Sequence, residues 1–324
     1  MSAVPRSVIP RRNDREGHAV VLVLASAVSL QCGAAFAVLL LDRVGPVGAV
    51  TLRMVLAAIL VLTVVRPRLR GYGRRDLAIG VAFGLTLALM NFCFYSAVAR
   101  LPLGAAVTLE FLGPLGLAVV TSRRIRDLVW VGVAGLGVIL LSETGFERLN
   151  PTGVAFALGA GLCWAGYILL GAQAGRRLSG ANALAVALAV ASIAIVPAAA
   201  FTSGPNLFEP VTLALGLGVA VLSSALPYSM ELAALRRIPA RTFGVLMSLE
   251  PVVAVLVGLL ILHQRLTTWQ LLAIGLVVVA SAGATRSAGG PRRGERDGPA
   301  SSVPSLPPAD PPEAAAGLSR RAKR

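Results

Sequence analysis

The fold of this chain follows from its first apolar run, residues 19–41, which reads AVVLVLASAVSLQCGAAFAVLLL. It holds 23 residues without a charged side chain, and a helix of roughly twenty residues crosses about 30 Å of hydrocarbon. Backbone groups in lipid must hydrogen-bond within their own segment, so an apolar run of this length predicts a membrane-spanning helix. The run exceeds the roughly 7–15 residues of a signal-peptide core, and we therefore interpret it as an uncleaved first helix.

Nine further apolar runs follow the first one. The chain is 56% hydrophobic and only 14% charged, whereas about 25% of the residues in a soluble domain are charged. The short loops between the runs predict antiparallel neighbours. The runs occupy residues 46–65, 77–98, 103–121, 128–142, 153–174, 181–201, 211–235, 242–262 and 267–284. We predict an all-α integral membrane protein of ten transmembrane helices.

Arginine is distributed unequally between the two sides of the predicted membrane. With the N-terminus inside, 17 arginines flank the inner helix ends, and only four, Arg43, Arg100, Arg148 and Arg265, lie in outer loops. Positive residues accumulate in cytoplasmic loops, so both termini are predicted to be cytoplasmic. This placement also explains the net charge of +15 without nucleic acid as a partner.

The sequence contains two related halves. Pro102 and Pro239 follow similar arginine-containing strings and are 137 residues apart, as are Pro114 and Pro251. Each half holds five helices, an odd number, so the second half is predicted to insert inverted relative to the first. Inverted repeats place a transport site at their interface near the midplane. The predicted divisions are a cytoplasmic N-terminal segment at 1–18, repeats at 19–142 and 153–284, and a basic, disordered cytoplasmic tail at 285–324.

Four ionisable side chains are predicted at membrane depth, where each costs about 2.5–3.5 kcal/mol on insertion scales. Glu110 stands four residues before Pro114, which has no N–H and so frees the Glu110 carbonyl group. Glu250 directly precedes Pro251 in the second half. Both acids are candidates to bind a substrate ammonium group or a proton. The alternative is a structural role, in which Glu110 is protonated or paired with Arg53.

Arg53 and Glu231 also have two interpretations each. Arg53 can hold a substrate carboxylate or neutralise Glu110, and the alternative is snorkelling toward the outer headgroups. Glu231 lies one turn before Arg236 and Arg237, where a structural ion pair competes with substrate or proton binding. The remaining candidates for a cavity lining are Asn91, Tyr95, Trp164, Tyr167 and Tyr228, with Gln31 as a weaker one. Packing or interfacial anchoring is the alternative for each of them.

The sequence lacks the common motifs for catalysis and metal binding. Its only lysine is Lys323, so no Walker A lysine exists, and neither H-E-x-x-H nor G-x-S-x-G occurs. The three cysteines lie in apolar runs, and the two histidines are far apart. We predict no metal, no cofactor and no enzyme activity, so an ion gradient or the substrate gradient must supply the energy for transport.

Several strings resemble the EamA-type drug/metabolite transporters and, within that superfamily, the bacterial branch that exports threonine and homoserine. The strings are LPLG at 101–104, LEFLGPL at 109–115, SRR at 122–124, CWAGYIL at 163–169, SALPYSME at 224–231 and RTFGVLMSLEP at 241–251. The resemblance implies two EamA repeats, a multi-pass location in the bacterial plasma (inner) membrane and export of small amino acids by proton antiport. One departure is His263-Gln264, where such proteins commonly carry Gly-Glu.

Three functions stay open from the sequence. The first is export of small amino acids of the threonine and homoserine type. The second is EamA-type export of another metabolite or a drug, although the intramembrane charges disfavour a purely lipophilic cargo. The third is a scaffold or regulatory subunit that transports nothing. The expected partners are an amino-acid substrate and membrane lipid, with a homodimer as a candidate assembly, and the sequence leaves the oligomeric state open.

Overall fold

The computed structural model describes residues 12–67, 71–122, 128–143, 150–178, 180–235, 237–238, 240–264 and 266–288, which form helices and turns and no strand. The α-helices are α1 (Arg12–Val65), α2 (Arg74–Val98), α3 (Leu103–Glu110), α4 (Leu112–Ser122), α5 (Leu128–Glu143), α6 (Pro151–Arg177), α7 (Gly180–Thr202), α8 (Pro210–Ala220), α9 (Leu226–Leu235), α10 (Ala240–Met247), α11 (Glu250–Leu260) and α12 (Thr268–Ala288). A π-helical turn, Val221–Ala225, joins α8 to α9. Most of the predicted N-terminal segment and C-terminal tail lie outside the described residues.

Two predicted helices meet within α1 at Gly45. This residue has φ 66° and ψ 178°, a conformation that glycine adopts without the steric cost of a Cβ atom. The chain turns here, and Pro46 begins the second arm with a fixed φ and no N–H to satisfy. The two arms of α1 correspond to the predicted runs at 19–41 and 46–65, and the first arm starts earlier, at Arg12.

Two other predicted helices are broken near their middle. The run at 103–121 divides into α3 and α4 at Phe111, and the run at 242–262 divides into α10 and α11 at Ser248 and Leu249. Pro114 and Pro251 each remove a backbone donor close to the break. Because 137 residues separate Phe111 from Ser248, as they separate the two prolines, the breaks occupy equivalent places in the two halves.

The outer surface of the helices is apolar. In the described part of the chain, five helical stretches are long and apolar enough to cross a membrane: Gly17–Val65, Arg74–Val98, Leu103–Thr121, Pro151–Arg177 and Asn182–Thr202. Large side chains point away from the protein, and Val64, Leu162 and Phe201 are 83%, 75% and 90% exposed. Such a surface is stable in lipid and not in water, so the chain is an integral membrane protein.

The two halves pack through the broken helices and through α5 and α12. Helix α3 lies against α11 at Gly104, where an added Cβ would be 2.6 Å from Val255 Cγ2. Helix α5 lies against α12 at Gly137, where an added Cβ would be 2.8 Å from the carbonyl oxygen of Ala273. Small residues let helix backbones approach closely in a membrane, where packing drives association. The halves therefore share one core, in which broken helices face each other.

Candidate functional site

A cavity of about 410 Å³ lies between the two halves, within the roughly 300–1,000 Å³ of small-molecule sites. Its walls come from both arms of α1, from α2, α3, α4, α6 and α9 to α12, and from the π turn. The charged and polar lining residues are Gln31, Arg53, Asn91, Glu110, Ser223, Glu231, Glu250 and Ser281. The aromatic ones are Phe94, Phe111, Trp164, Tyr167 and Phe243.

Most of the residues singled out from the sequence lie together in this wall. They are Glu110, Glu250, Arg53, Glu231, Asn91, Trp164 and Tyr167, with Gln31 and Pro114 beside them. Tyr95 is fully buried and contacts the cavity through Arg53, while Pro251 is buried at the start of α11. The Tyr228 side chain lies outside the described part of the structure. The placement brings these groups together, and their binding roles stay predictions.

Arg53 points into the protein, not toward the outer headgroups. It is 9% exposed, and its Nη1 atom donates to the Tyr95 hydroxyl oxygen at 3.3 Å. Its Nη2 atom donates to the carbonyl oxygen of Ser223 at 3.2 Å. The guanidinium carbon is 5.8 Å from the centre of the Tyr95 ring, and the charge interacts with Glu110. The cation is thus held at the cavity wall by groups from both halves.

The Ser223 carbonyl group is a site component that the sequence analysis missed. It lies in the π turn, and Pro227 stands four residues later, where a helix would need an N–H donor for that carbonyl. Arg53 provides the missing donor. A second carbonyl in the turn, that of Leu222, accepts from Ser29 Oγ at 2.8 Å. The spacing of Pro227 from Ser223 was the available signal, because a proline exposes the carbonyl four residues before it.

Three carboxyl groups share the cavity with Arg53. Glu250 is 2% exposed, and its Oε1 atom has no hydrogen-bond partner among the described residues. It interacts electrostatically with Glu231 and Glu110. Glu231 lies near Ser26 and lines the cavity. The described residues include no ion pair between Glu231 and Arg237, and Arg236 lies outside them.

Glu110 is fixed by the close approach of α6. Gly161 of α6 sits so near the α3–α4 break that an added Cβ would be 2.6 Å from the Glu110 carbonyl oxygen and 3.2 Å from the Gly113 nitrogen. Next to this contact, the rings of Phe111 and Trp164 pack edge to face with centroids 4.8 Å apart. The break, its acid and the aromatic wall are therefore packed together.

The arrangement suits a small zwitterion. A guanidinium can hold a carboxylate through two hydrogen bonds, and carboxylates can hold an ammonium group. Both attractions are stronger in a low-dielectric cavity than in water. Across the part of the chain that the structure describes, no group of three or more His, Cys, Asp or Glu side chains is placed to hold a metal ion.

Helices broken at equivalent places in two halves, around a charged cavity between them, define a secondary membrane transporter. The sequence model of the EamA-like transporter family matches residues 151–286. The threonine/homoserine exporter RhtA of Escherichia coli strain K12 is 42% identical over 269 residues, which cover 82% of this chain and 90% of that protein. The chain belongs to the EamA-like transporter family, and the predicted resemblance is confirmed.

Two further comparisons agree with this assignment. The threonine/homoserine exporter RhtA of Salmonella typhimurium strain SL1344 is 43% identical, with the same shares of the two chains covered. A solved crystal structure that is 20% identical superposes with a TM-score of 0.57 over 83% of this chain and 98% of that chain. The second comparison shows that the fold is shared.

Proposed function

We propose that this protein exports small amino acids of the threonine and homoserine type across the bacterial plasma (inner) membrane by proton antiport. Relatives 42% and 43% identical over 82% of the chain carry the name threonine/homoserine exporter. The observation that carries the proposal is the cavity itself, in which one guanidinium and three carboxyl groups line about 410 Å³ between the two halves.

The substrate binds by its two charged ends. Arg53 takes the carboxylate, since its guanidinium lies at the cavity wall, where the Tyr95 hydroxyl and the Ser223 carbonyl group hold it in place. The ammonium group binds to the carboxylates of Glu110 and Glu250. The aromatic walls exclude water, which strengthens both contacts.

Proton coupling follows from the shared use of the carboxylates. A carboxylate that accepts a proton becomes neutral and no longer attracts an ammonium group. Glu250 fits this exchange because its buried Oε1 atom has no hydrogen-bond partner among the described residues. Proton and substrate then compete for one site, and each turnover carries substrate outward and a proton inward.

The topology we propose has ten membrane crossings and both termini in the cytoplasm. Each arm of α1 counts as one crossing, as do the broken pair α3–α4, the broken pair α10–α11 and the continuous unit from α8 to α9. Two ion pairs support the assignment of loops to sides. Arg43 and Glu209, 3.6 Å apart, both belong to predicted outer loops, and Arg177 and Asp76, 3.0 Å apart, both lie at predicted inner ends. Reporter fusions at the C-terminus test this arrangement directly.

Efflux from proteoliposomes with an imposed pH gradient tests the function. We expect labelled threonine and homoserine to leave faster when protons flow in the opposite direction, and the Glu110→Gln variant to lose this acceleration. Glu209→Gln is the matched control, because Glu209 is exposed and outside the cavity. Efflux of other metabolites without these two amino acids would point to another EamA-type cargo, and no efflux at all from correctly inserted protein would contradict transport.

A further inference from the structure

Gln31 is a buried amide in the cavity wall. The proposed binding of the substrate's carboxylate and ammonium groups does not use it. It lies in the first arm of α1 and is only 3% exposed. Its Oε1 atom accepts no hydrogen bond from any residue that the structure describes. A buried acceptor without a donor destabilises a protein, so an orphaned acceptor on a residue of the cavity wall indicates a donor on the bound ligand.

The chemistry of the proposed substrates supplies one donor for this acceptor. When the carboxylate is on Arg53 and the ammonium group is on the acids, the polar group that remains in threonine or homoserine is the side-chain hydroxyl. A neutral amide oxygen accepts from a hydroxyl without competing for the ammonium group as strongly as a carboxylate does. The long, flexible glutamine side chain can also follow a hydroxyl that sits one carbon nearer or farther.

Ser223 is the other candidate in the same part of the wall. Ser223 is 1% exposed, and its Oγ atom also has no hydrogen-bond partner among the described residues. This hydroxyl, however, lies directly against Gly33 of α1, where an added Cβ would overlap it. The tight contact leaves Gln31 as the better placed of the two groups to reach a ligand.

We propose that Gln31 is a specificity-determining residue, whose Oε1 atom accepts a hydrogen bond from the substrate's side-chain hydroxyl. The assignment rests on the proposed function and deepens it, because it explains how a hydroxylated amino acid is preferred over an apolar one of equal size. A purely apolar pocket distinguishes such isosteres poorly, whereas a site with a buried hydrogen-bonding group rejects the analogue that leaves that group unpaired.

The test compares amino acids that differ only in this hydroxyl. Threonine is measured against valine, and homoserine against norvaline, as pairs of labelled substrates in proteoliposomes. We expect the wild-type protein to export each hydroxylated member about tenfold faster than its isostere. Gln31→Met should lower that ratio to near one while valine and norvaline efflux stays unchanged or rises. A loss of general stability would slow all four substrates alike and leave the ratio intact.

Gln270→Met is the matched control. Gln270 is also 3% exposed, but its Oε1 atom accepts from the Thr267 N–H at 2.8 Å and it does not line the cavity, so its variant should keep the wild-type ratio. An unchanged ratio in Gln31→Met would overturn the assignment and leave the proposed function standing. If the wild-type protein exported threonine and valine equally fast, and homoserine and norvaline equally fast, that result alone would overturn the assignment. Failure of the wild type to move any of the four would remove the proposed function and this inference together.

Discussion

Arg53 and Ser223 are joined by a hydrogen bond of 3.2 Å, from the Arg53 Nη2 atom to the Ser223 carbonyl oxygen, across 170 residues of sequence. The acceptor is available because Pro227 cannot donate to it within the helix. A proline in the second half thus creates the acceptor that positions a cation from the first half. Groups from both halves therefore hold the Arg53 cation at the cavity wall.

Replacing Arg53 by lysine tests the importance of this geometry. Lysine keeps the charge, but its single nitrogen cannot take the two separate places of Nη1 and Nη2 and also hold a carboxylate bidentately, because it lacks the planar fork of the guanidinium. Hydrogen bonds to charged groups contribute about 1.5–3 kcal/mol, so we expect threonine efflux to fall about tenfold or more at low substrate concentration. Initial efflux rates over a range of internal threonine concentrations measure the loss.

Arg43→Lys is the matched control for that experiment. Arg43 pairs with Glu209 at 3.6 Å, and its side chain is 44% exposed. Exposed ion pairs contribute about 0–1 kcal/mol, so this variant should export at close to the wild-type rate. Equal losses in the two lysine variants would show that charge geometry at Arg53 has no special part in transport.

The sequence predicted the parts of this site that depend on local chemistry. Glu110, four residues before Pro114, and Glu250, directly before Pro251, indicated that ionisable groups lie beside freed backbone carbonyls, because proline removes the donor of the carbonyl four residues before it. The Ser223 carbonyl is freed in the same way by Pro227. The sequence analysis did not identify it, because the residue that carries it has no charged side chain. Its donor, Arg53, lies 170 residues away, and that pairing depends on how the two halves pack.

Replacing Glu250 by glutamine tests the proposed competition between proton and substrate. An amide does not exchange a proton in the physiological range, so one of the two competing states is lost. We expect pH-gradient-driven threonine efflux to fall at least tenfold, while exchange of labelled for unlabelled threonine across the membrane is less affected. Counterflow measured beside net efflux in the same vesicles separates these two effects. If Glu250→Gln retained full gradient-driven efflux, Glu250 would not carry the proton.

Replacing Gly161 by alanine tests the contact that fixes Glu110. The new Cβ would lie 2.6 Å from the Glu110 carbonyl oxygen, and the backbone there cannot move aside as a flexible side chain does. Overpacking costs about 1–3 kcal/mol, so the thermal unfolding midpoint in detergent should fall by several degrees. Gly175→Ala on the same helix has nothing within 4 Å and should keep the midpoint. Equal unfolding midpoints in the two variants would mean that the contact between α6 and the α3–α4 break does not stabilise the protein.

Close approaches such as this one mark the limit of sequence analysis. Gly161 and Gly175 are both glycines of α6, and nothing in their neighbours distinguishes the one that touches another backbone from the one beside open space. The difference arises from the position of the α3–α4 break against α6, which is a tertiary contact. Likewise, the apolar runs predicted where the helices lie, whereas the turn at Gly45 within α1 depends on one backbone conformation.

Gln264 lies where the resemblance to the family implied an acid, and the structure gives this side chain a capping role. Its Oε1 atom accepts from the Leu103 N–H at 3.0 Å, at the first residue of α3, and so links the loop before α12 to the first half. An N-terminal cap contributes about 0.5–2 kcal/mol. Gln264→Leu should therefore lower the thermal unfolding midpoint by a few degrees.

Gln264→Glu should keep or raise the midpoint instead, because a carboxylate also accepts from the Leu103 N–H and gains about 0.3–1 kcal/mol from the helix dipole. Gln173→Leu on exposed α6 surface serves as the control for loss of an amide without loss of a cap. Both Gln264 variants should still export threonine, because the cap lies outside the cavity lining. A glutamate variant as unstable as the leucine variant would show that the loop fixes α3 by shape and not by this hydrogen bond.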